Sequence, residues 1–273
     1  MRIWLDGALR DVDAAKVSVF DHGLTVGDGV FETLKAEGGR AFALTRHLER
    51  LTRSARGLGL PDPDLDEVRT ACAAVLGANP VEHGRLRVTY TGGVSPLGSD
   101  RGDAGTTLIA AVAESARRPD TTAVVTVPWV RNERSAVAGL KTTSYAENVV
   151  ALAAAHRAGA SEALLANTVG LLCEGTGSNV FVVLDGELHT PPLASGCLAG
   201  ITRALVIDWA GAKETDLPFE VLRQAEEIFV TSSLRDAQAV VRVDDRELGT
   251  TPGPVTAEVM RIFDAKAGAD LDP

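Results

Sequence analysis

Three cysteines in 273 residues, Cys72, Cys173 and Cys197, leave little room for sulfur chemistry. No two form a C-x-x-C pair, which excludes a zinc ribbon and a thioredoxin-like site. The odd number and wide spacing fit a reducing compartment. Basic charge is also short: 27 Lys and Arg stand against 37 Asp and Glu, a formal net charge of −10. A generic nucleic-acid binder holds phosphates with clustered Lys and Arg. Here the basic groupings, 46–56 and Arg117-Arg118, are interrupted or short. An acidic total still allows a local positive pocket for a small anion. No apolar run reaches the ~18 residues of a membrane span. The opening Met1-Arg2-Ile3-Trp4-Leu5-Asp6-Gly7 turns polar too early for a signal peptide. The expectation is a cytoplasmic protein. Repeats and low-complexity tracts are missing as well.

What is present is a globular composition, 45% hydrophobic and 23% charged. That length supports one large domain or two smaller ones. Asp6-Gly7 predicts a hairpin turn between two short strands. Val30-Phe31-Glu32-Thr33-Leu34-Lys35-Ala36 alternates at period two, Glu37-Gly38-Gly39-Arg40 turns, and 41–44 pairs back. Thr45 reads as a helix cap, and Leu48, Leu51, Ala55 and Leu58 share one helical face over 47–58. A second amphipathic helix is expected over 64–76, and strands over 85–91 and 108–113. The Gly-rich loop 92–102 between them is of the kind used over a site. The polar stretch 114–122 reads as an interdomain linker. Beyond it, α/β alternation continues: strands at 123–127, 162–166 and 179–184, helices at 147–158 and 200–210.

Two residues carry the chemistry. Lys141 sits in Gly139-Leu140-Lys141-Thr142-Thr143-Ser144-Tyr145, and Glu174 in Leu172-Cys173-Glu174-Gly175-Thr176-Gly177-Ser178-Asn179. Alone, each reads as a solvated surface charge. Together, in Gly-flanked and otherwise apolar settings, an amine and a carboxylate suit a pyridoxal phosphate enzyme. The amine would hold the cofactor aldehyde as a Schiff base, and the carboxylate would keep the pyridine nitrogen protonated. The phosphate needs an anion cradle. Gly196-Cys197-Leu198-Ala199-Gly200-Ile201-Thr202-Arg203 runs into an apolar helical segment whose free N–H groups would serve. Thr231-Ser232-Ser233 follows an apolar strand and could complete it. Arg50, sharing a helical face with His47 and Ser54, is the candidate fixed cation.

Six stretches, in order and spread over nearly the whole chain, resemble the class IV aminotransferases, the pyridoxal phosphate fold-type IV family. They are Gly27-Asp28-Gly29-Val30-Phe31-Glu32-Thr33, His47-Leu48-Glu49-Arg50-Leu51, Lys141-Thr142-Thr143-Ser144-Tyr145, Glu174-Gly175-Thr176-Gly177-Ser178-Asn179-Val180-Phe181, Gly200-Ile201-Thr202-Arg203 and Phe229-Val230-Thr231-Ser232-Ser233. The resemblance implies a two-domain α/β fold with the cofactor in the interdomain cleft, a small domain over 1–117 and a larger one over 118–273. It implies a homodimer, with amino acids and 2-oxo acids as substrates; the sequence indicates no metal.

It implies Lys141 as Schiff-base lysine and general acid/base, and Glu174 as partner of the pyridine nitrogen. Arg50, Ile201, Thr202, Ser232 and Ser233 would hold the phosphate. Tyr145 or Arg134 would reach the phenolic oxygen, and Asn179 would brace the site or satisfy core backbone groups. Phe31, Glu32, Arg87 and Arg101 are the candidate substrate contacts. The loop 92–102 lacks the Arg-x-His of D-amino-acid transaminases. Phe31-Glu32-Thr33 departs from the Phe-Glu-Gly of branched-chain aminotransferases and is similar to several aminodeoxychorismate lyases. A transaminase for small amino acids, D-amino acids among them, leads. Aminodeoxychorismate lyase, branched-chain aminotransferase and a non-catalytic homologue are the alternatives.

Overall fold

The computed structural model describes residues 1–273. The chain forms two compact units: Met1–Arg117 with Leu140–Ser144 and Leu271–Pro273, and Arg118–Gly139 with Tyr145–Asp270. A contiguous division at 117/118 therefore differs in two places, because the lysine segment and the last three residues group with the first unit.

The first unit holds β1 (Arg2–Leu5), β2 (Ala8–Asp11), α1 (His22–Thr25), β3 (Gly29–Glu37), β4 (Arg40–Ala41), α2 (Leu44–Leu58), α3 (Leu65–Ala78), β5 (His83–Thr91) and β6 (Thr107–Glu114). The six strands form one sheet in the order β2-β1-β6-β5-β3-β4. Asp6 and Gly7 both take positive φ, as a two-residue hairpin turn demands. Alternation sends Val30, Leu34 and Ala36 of β3, with Leu86, Val88 and Tyr90 of β5, into a core shared with α2 and α3. Asp64 caps α3, accepting from the N–H groups of Asp66 and Glu67.

Thr45 is not the cap of α2. The helix begins at Leu44 after a left-handed Ala43, without a side-chain cap. Its free amides are met from far along the chain: Thr45 N–H and Oγ1–H donate to Asp272 at 2.8 and 2.5 Å. Ala43 N–H donates to Leu271 O at 2.8 Å. A carboxylate at a helix N-terminus suits both the unpaired amides and the dipole.

The second unit holds β7 (Thr121–Arg131), α4 (Ala146–Arg157), β8 (Glu162–Asn167), β9 (Leu172–Gly175), β10 (Asn179–Leu184), β11 (Glu187–Thr190), α5 (Ile201–Ala210), β12 (Lys213–Glu214), β13 (Glu227–Ser232), β14 (Asp236–Val243), β15 (Arg246–Glu247) and α6 (Pro254–Ala269). Eight strands run in the order β12-β11-β10-β13-β14-β7-β8-β9, and β15 pairs β14. β7 lies parallel to β8 and to β14. It runs on past the expected end at 127 because the register shifts between Thr126 and Val130, around Pro128, and pairing resumes to Arg131. The rings of Phe181 and Phe229 stack 4.8 Å apart across β10 and β13.

Candidate active site

In the first unit, Lys141 is pinned to the outer edge of β3. Phe31 N–H donates to Lys141 O at 3.0 Å, and Thr143 N–H to Gly29 O at 2.8 Å. Lys141 N–H donates to Ser54 Oγ of α2 at 3.1 Å. Both sides of the lysine peptide are thus fixed while its side chain stays half-buried. Nζ stands 4.4 Å from the centroid of the Phe31 ring, and the Arg87 guanidinium carbon 3.5 Å from the same centroid. Two cations share one buried aromatic face system, an attraction that desolvation strengthens.

On the opposite face of β3 a charge cluster is sealed from water. Arg50 donates from Nε to Glu32 Oε1 at 2.8 Å and from Nη2 to Oε2 at 2.7 Å. His47 Nδ1 meets Oε2 at 2.6 Å. Glu32 has no exposed surface, and His47 and Arg50 have 1% and 3%. Burial alone would raise the Glu32 carboxyl, but Arg50 and His47 outweigh it and hold the group well below the usual carboxylate range. Burial pushes the His47 imidazole down. Glu32 pulls it back only in part, and Arg50 and Lys141 push the same way as burial. His47 is therefore neutral near pH 7, and Glu32 takes two N–H bonds from the fork of Arg50.

In the second unit, Glu174 on β9 is addressed at both oxygens. Leu198 N–H donates to Oε2 at 2.8 Å. Arg131 Nε lies 3.0 Å from Oε1, an ion pair in which the N–H is angled off the oxygen. Asn179 Nδ2 donates to Leu198 O at 2.9 Å, so the Leu198 peptide is clamped from both ends. The clamp leads into α5, whose cap Gly200 offers no side chain and whose first turn carries no acidic residue. A Cβ on Gly200 would come within 2.0 Å of Asn179 Oδ1, so the approach needs glycine. Beside it, the hydroxyl of Thr231, paired in register with Asn179, is buried without a partner. Ser232 and Ser233 follow at the strand end, both half-buried. An uncapped helix N-terminus with hydroxyls beside it fits a phosphate.

The structure brings Lys141, Phe31, Arg87, Glu32 and Arg50 together in the first unit. It places Glu174, Asn179, Ile201, Thr202, Ser232 and Ser233 in the second, with Tyr145 half-buried at the start of α4. Two expectations change, those for Glu32 and Arg101. Glu32 cannot meet a substrate while fully buried against Arg50 and His47. Arg101 grips Asp28 through Nε at 2.7 Å and Nη2 at 2.6 Å, and donates to the carbonyls of Leu58 and Gly59 at 2.7 and 2.6 Å. It is a cation at the C-terminus of α2, a stabilising position, rather than a substrate contact. Arg134 is exposed, its N–H donating to Asn132 Oδ1. The arginine beside Glu174 is Arg131, three residues earlier.

Sequence reasoning missed Arg131, Asn148 and Glu162. Arg131 lies past the expected strand end at 127, so no local signal marked it.

The amino-transferase class IV family matches residues 29–243. A putative branched-chain-amino-acid aminotransferase of Methanocaldococcus jannaschii is 35% identical, over 96% of this chain and 95% of its own length. A bifunctional aminodeoxychorismate lyase / D-amino acid transaminase of Mycobacterium tuberculosis is 32% identical, over 92% and 94%. Among solved structures, the Escherichia coli branched-chain amino acid aminotransferase superposes with a TM-score of 0.91 at 27% identity, covering 97% of this chain and 93% of that one.

Proposed function

The chain belongs to the class IV aminotransferases, enzymes of fold type IV that depend on pyridoxal phosphate, and from that premise we propose that it is a transaminase moving an amino group between a small amino acid, D-amino acids included, and a 2-oxo acid. The observation that carries the reading is Lys141, an amine pinned at both sides of its peptide yet half-buried at its side chain. When bound, pyridoxal phosphate supplies an aldehyde to take up the amino group and a ring that spreads the electrons released at Cα. Lys141 Nζ would hold the cofactor aldehyde and, once freed, would take the proton from Cα of the amino acid. Glu174 holds the ring nitrogen. The first amides of α5 at Ile201 and Thr202, with Ser232 and Ser233, take the phosphate, and Arg50 adds a cation pre-oriented by Glu32. Tyr145 serves the phenolic oxygen. Phe31 and Arg87 line the substrate side, Arg87 offering a fork to a carboxylate.

A second copy completes the assembly. Val19, Phe20 and Leu24, at 69%, 48% and 68% exposure, adjoin Leu97 at 75%. The two segments are tied by Ser95 N–H to Phe20 O and His22 N–H to Gly93 O. An apolar patch of this kind supports a homodimer. Light scattering should return twice the chain mass.

The lyase reading is supported by Phe31-Glu32-Thr33 and by the two activities named for the mycobacterial relative. The test is a half-reaction. Holoprotein is mixed with D-alanine without any oxo acid, and the aldehyde-form absorbance is followed. Stoichiometric loss with growth of the amine form carries the transaminase. No change with D-alanine, L-leucine or L-glutamate, together with pyruvate release from aminodeoxychorismate, carries the lyase. No aldehyde band after adding pyridoxal phosphate overturns both.

A further inference from the structure

Glu174 is held by a chain of contacts within the second unit. Arg131 Nε faces its Oε1 at 3.0 Å, while Arg131 Nη1 donates to Asn148 Oδ1 at 3.1 Å. Asn148 Nδ2 in turn donates to Thr176 O. The Thr176 N–H donates to Glu162 Oε1 at 2.9 Å, its hydroxyl donates to the same oxygen, and Ser178 Oγ donates to Oε2 at 2.8 Å. Glu162 is 2% exposed, so the turn that follows Glu174 is tied to a buried anchor. A Cβ on Gly175 would come within 2.3 Å of Ser178 Oγ and 2.9 Å of Glu162 Cδ, so this closure needs glycine.

The charges can be ranked. The side chains of Arg131 and Glu174 are 17% and 11% exposed, whereas Glu147, the other acid near Arg131 at 3.5 Å, is 79% exposed. A solvated carboxylate contributes little. The partner that matters is Glu174. The use of two nitrogens of one fork on two acceptors is a task for arginine rather than lysine. A guanidinium at this range favours the anion over the neutral acid. A neutral acid could serve an unprotonated ring nitrogen, but an anion requires a protonated one.

We propose that Arg131, anchored by Asn148, is a positioning residue for Glu174. It keeps the carboxylate anionic and in one orientation, and so keeps the cofactor's ring nitrogen protonated. The inference rests on the transaminase reading above, through its cofactor.

The test compares binding of pyridoxal phosphate with that of its 1-deaza analogue, in which the ring nitrogen is a CH group. Dissociation constants are measured for the unaltered protein and for Arg131→Gln, Arg131→Lys and Asn148→Ala. The unaltered protein should prefer pyridoxal phosphate. Arg131→Gln should cut that preference about tenfold while leaving the affinity for the analogue in place. Asn148→Ala should cut it less, and Arg131→Lys should retain part of it. A merely structural role weakens both ligands equally, and that result overturns the inference. So does an unmoved ratio in Arg131→Gln or, should that variant not fold, in Asn148→Ala. If the unaltered protein binds neither ligand, the proposed function falls and takes this inference with it. If it binds pyridoxal phosphate and the ratio ignores the variants, this inference falls alone.

Discussion

Glu32 in the first unit and Glu162 in the second are both withdrawn from water, at 0% and 2% exposure, yet their partners differ in kind. Glu32 is met by a guanidinium and an imidazole. Glu162 is met by backbone N–H groups of Ala163 and Thr176 and by hydroxyls of Thr176 and Ser178. Arg235 stands 3.9 Å away, beyond hydrogen-bond reach, and turns its own donors to Ser161 and Gln238. Ionic partners fix side chains, here those of the helix face beneath Lys141. Neutral donors fix a backbone, here the turn after Glu174. The first arrangement depends on protonation of several groups, the second on the shape of one loop.

The widest gap between the units lies at Lys141, for which the second unit has no counterpart. Lys141→Ala should lower turnover about 10³-fold or more and abolish the aldehyde-linked absorbance, with circular dichroism unchanged. Glu32→Leu removes the carboxylate that pairs the buried Arg50 and His47. It should cost about 3–5 kcal/mol, read from the denaturant midpoint. Glu162→Gln keeps an acceptor but sets an amide against donors, for a loss of about 1–3 kcal/mol. Equal losses in the two variants would erase the contrast.

Acid separates the units further. The folded-state value of His47 lies below its ordinary 6.5, and that of Glu32 below its ordinary 4.5. For both groups the unfolded chain takes up protons first as pH falls. The stability they confer is therefore complete above about pH 6.5, erodes below it through His47, and falls again below about 4.5 through Glu32. Glu32→Gln should flatten the lower part of a midpoint-against-pH curve. At the small end, Arg56 and Asp62 pair at 2.6 Å on the open surface. Arg56→Gln should leave the melting midpoint where it is.

Legibility followed range. Asp6-Gly7, the amphipathic period of 64–76 and the alternation of β3 and β5 carry their signals within a few residues, and each became the predicted element. Lys141 and Glu174 stood out because glycines and small polar residues mark backbone that must approach something closely. The same local view misled at Glu32. Alternation places it on the core face with Val30 and Leu34, but only the fold supplies Arg50 and His47, 18 and 15 residues later. Arg131 and Asn148 meet 17 residues apart, and Asn148 and Thr176 28 apart, through side chains whose types are ordinary surface choices. Arg101 reads as the one cation of its loop, and nothing nearby in sequence announces Asp28, 73 residues before it.

The cap of α2 carries a consequence for the order of assembly. The helix that presents His47, Arg50 and Ser54 has its first turn closed by Asp272, 227 residues downstream. During synthesis α2 is made early, and water must meet its first amides until nearly all of the second unit has been translated. Contacts that close so long a loop form slowly. The charge cluster joins residues only 15 and 18 apart and closes without the cap, so the cap is the last piece added to the floor beneath Lys141.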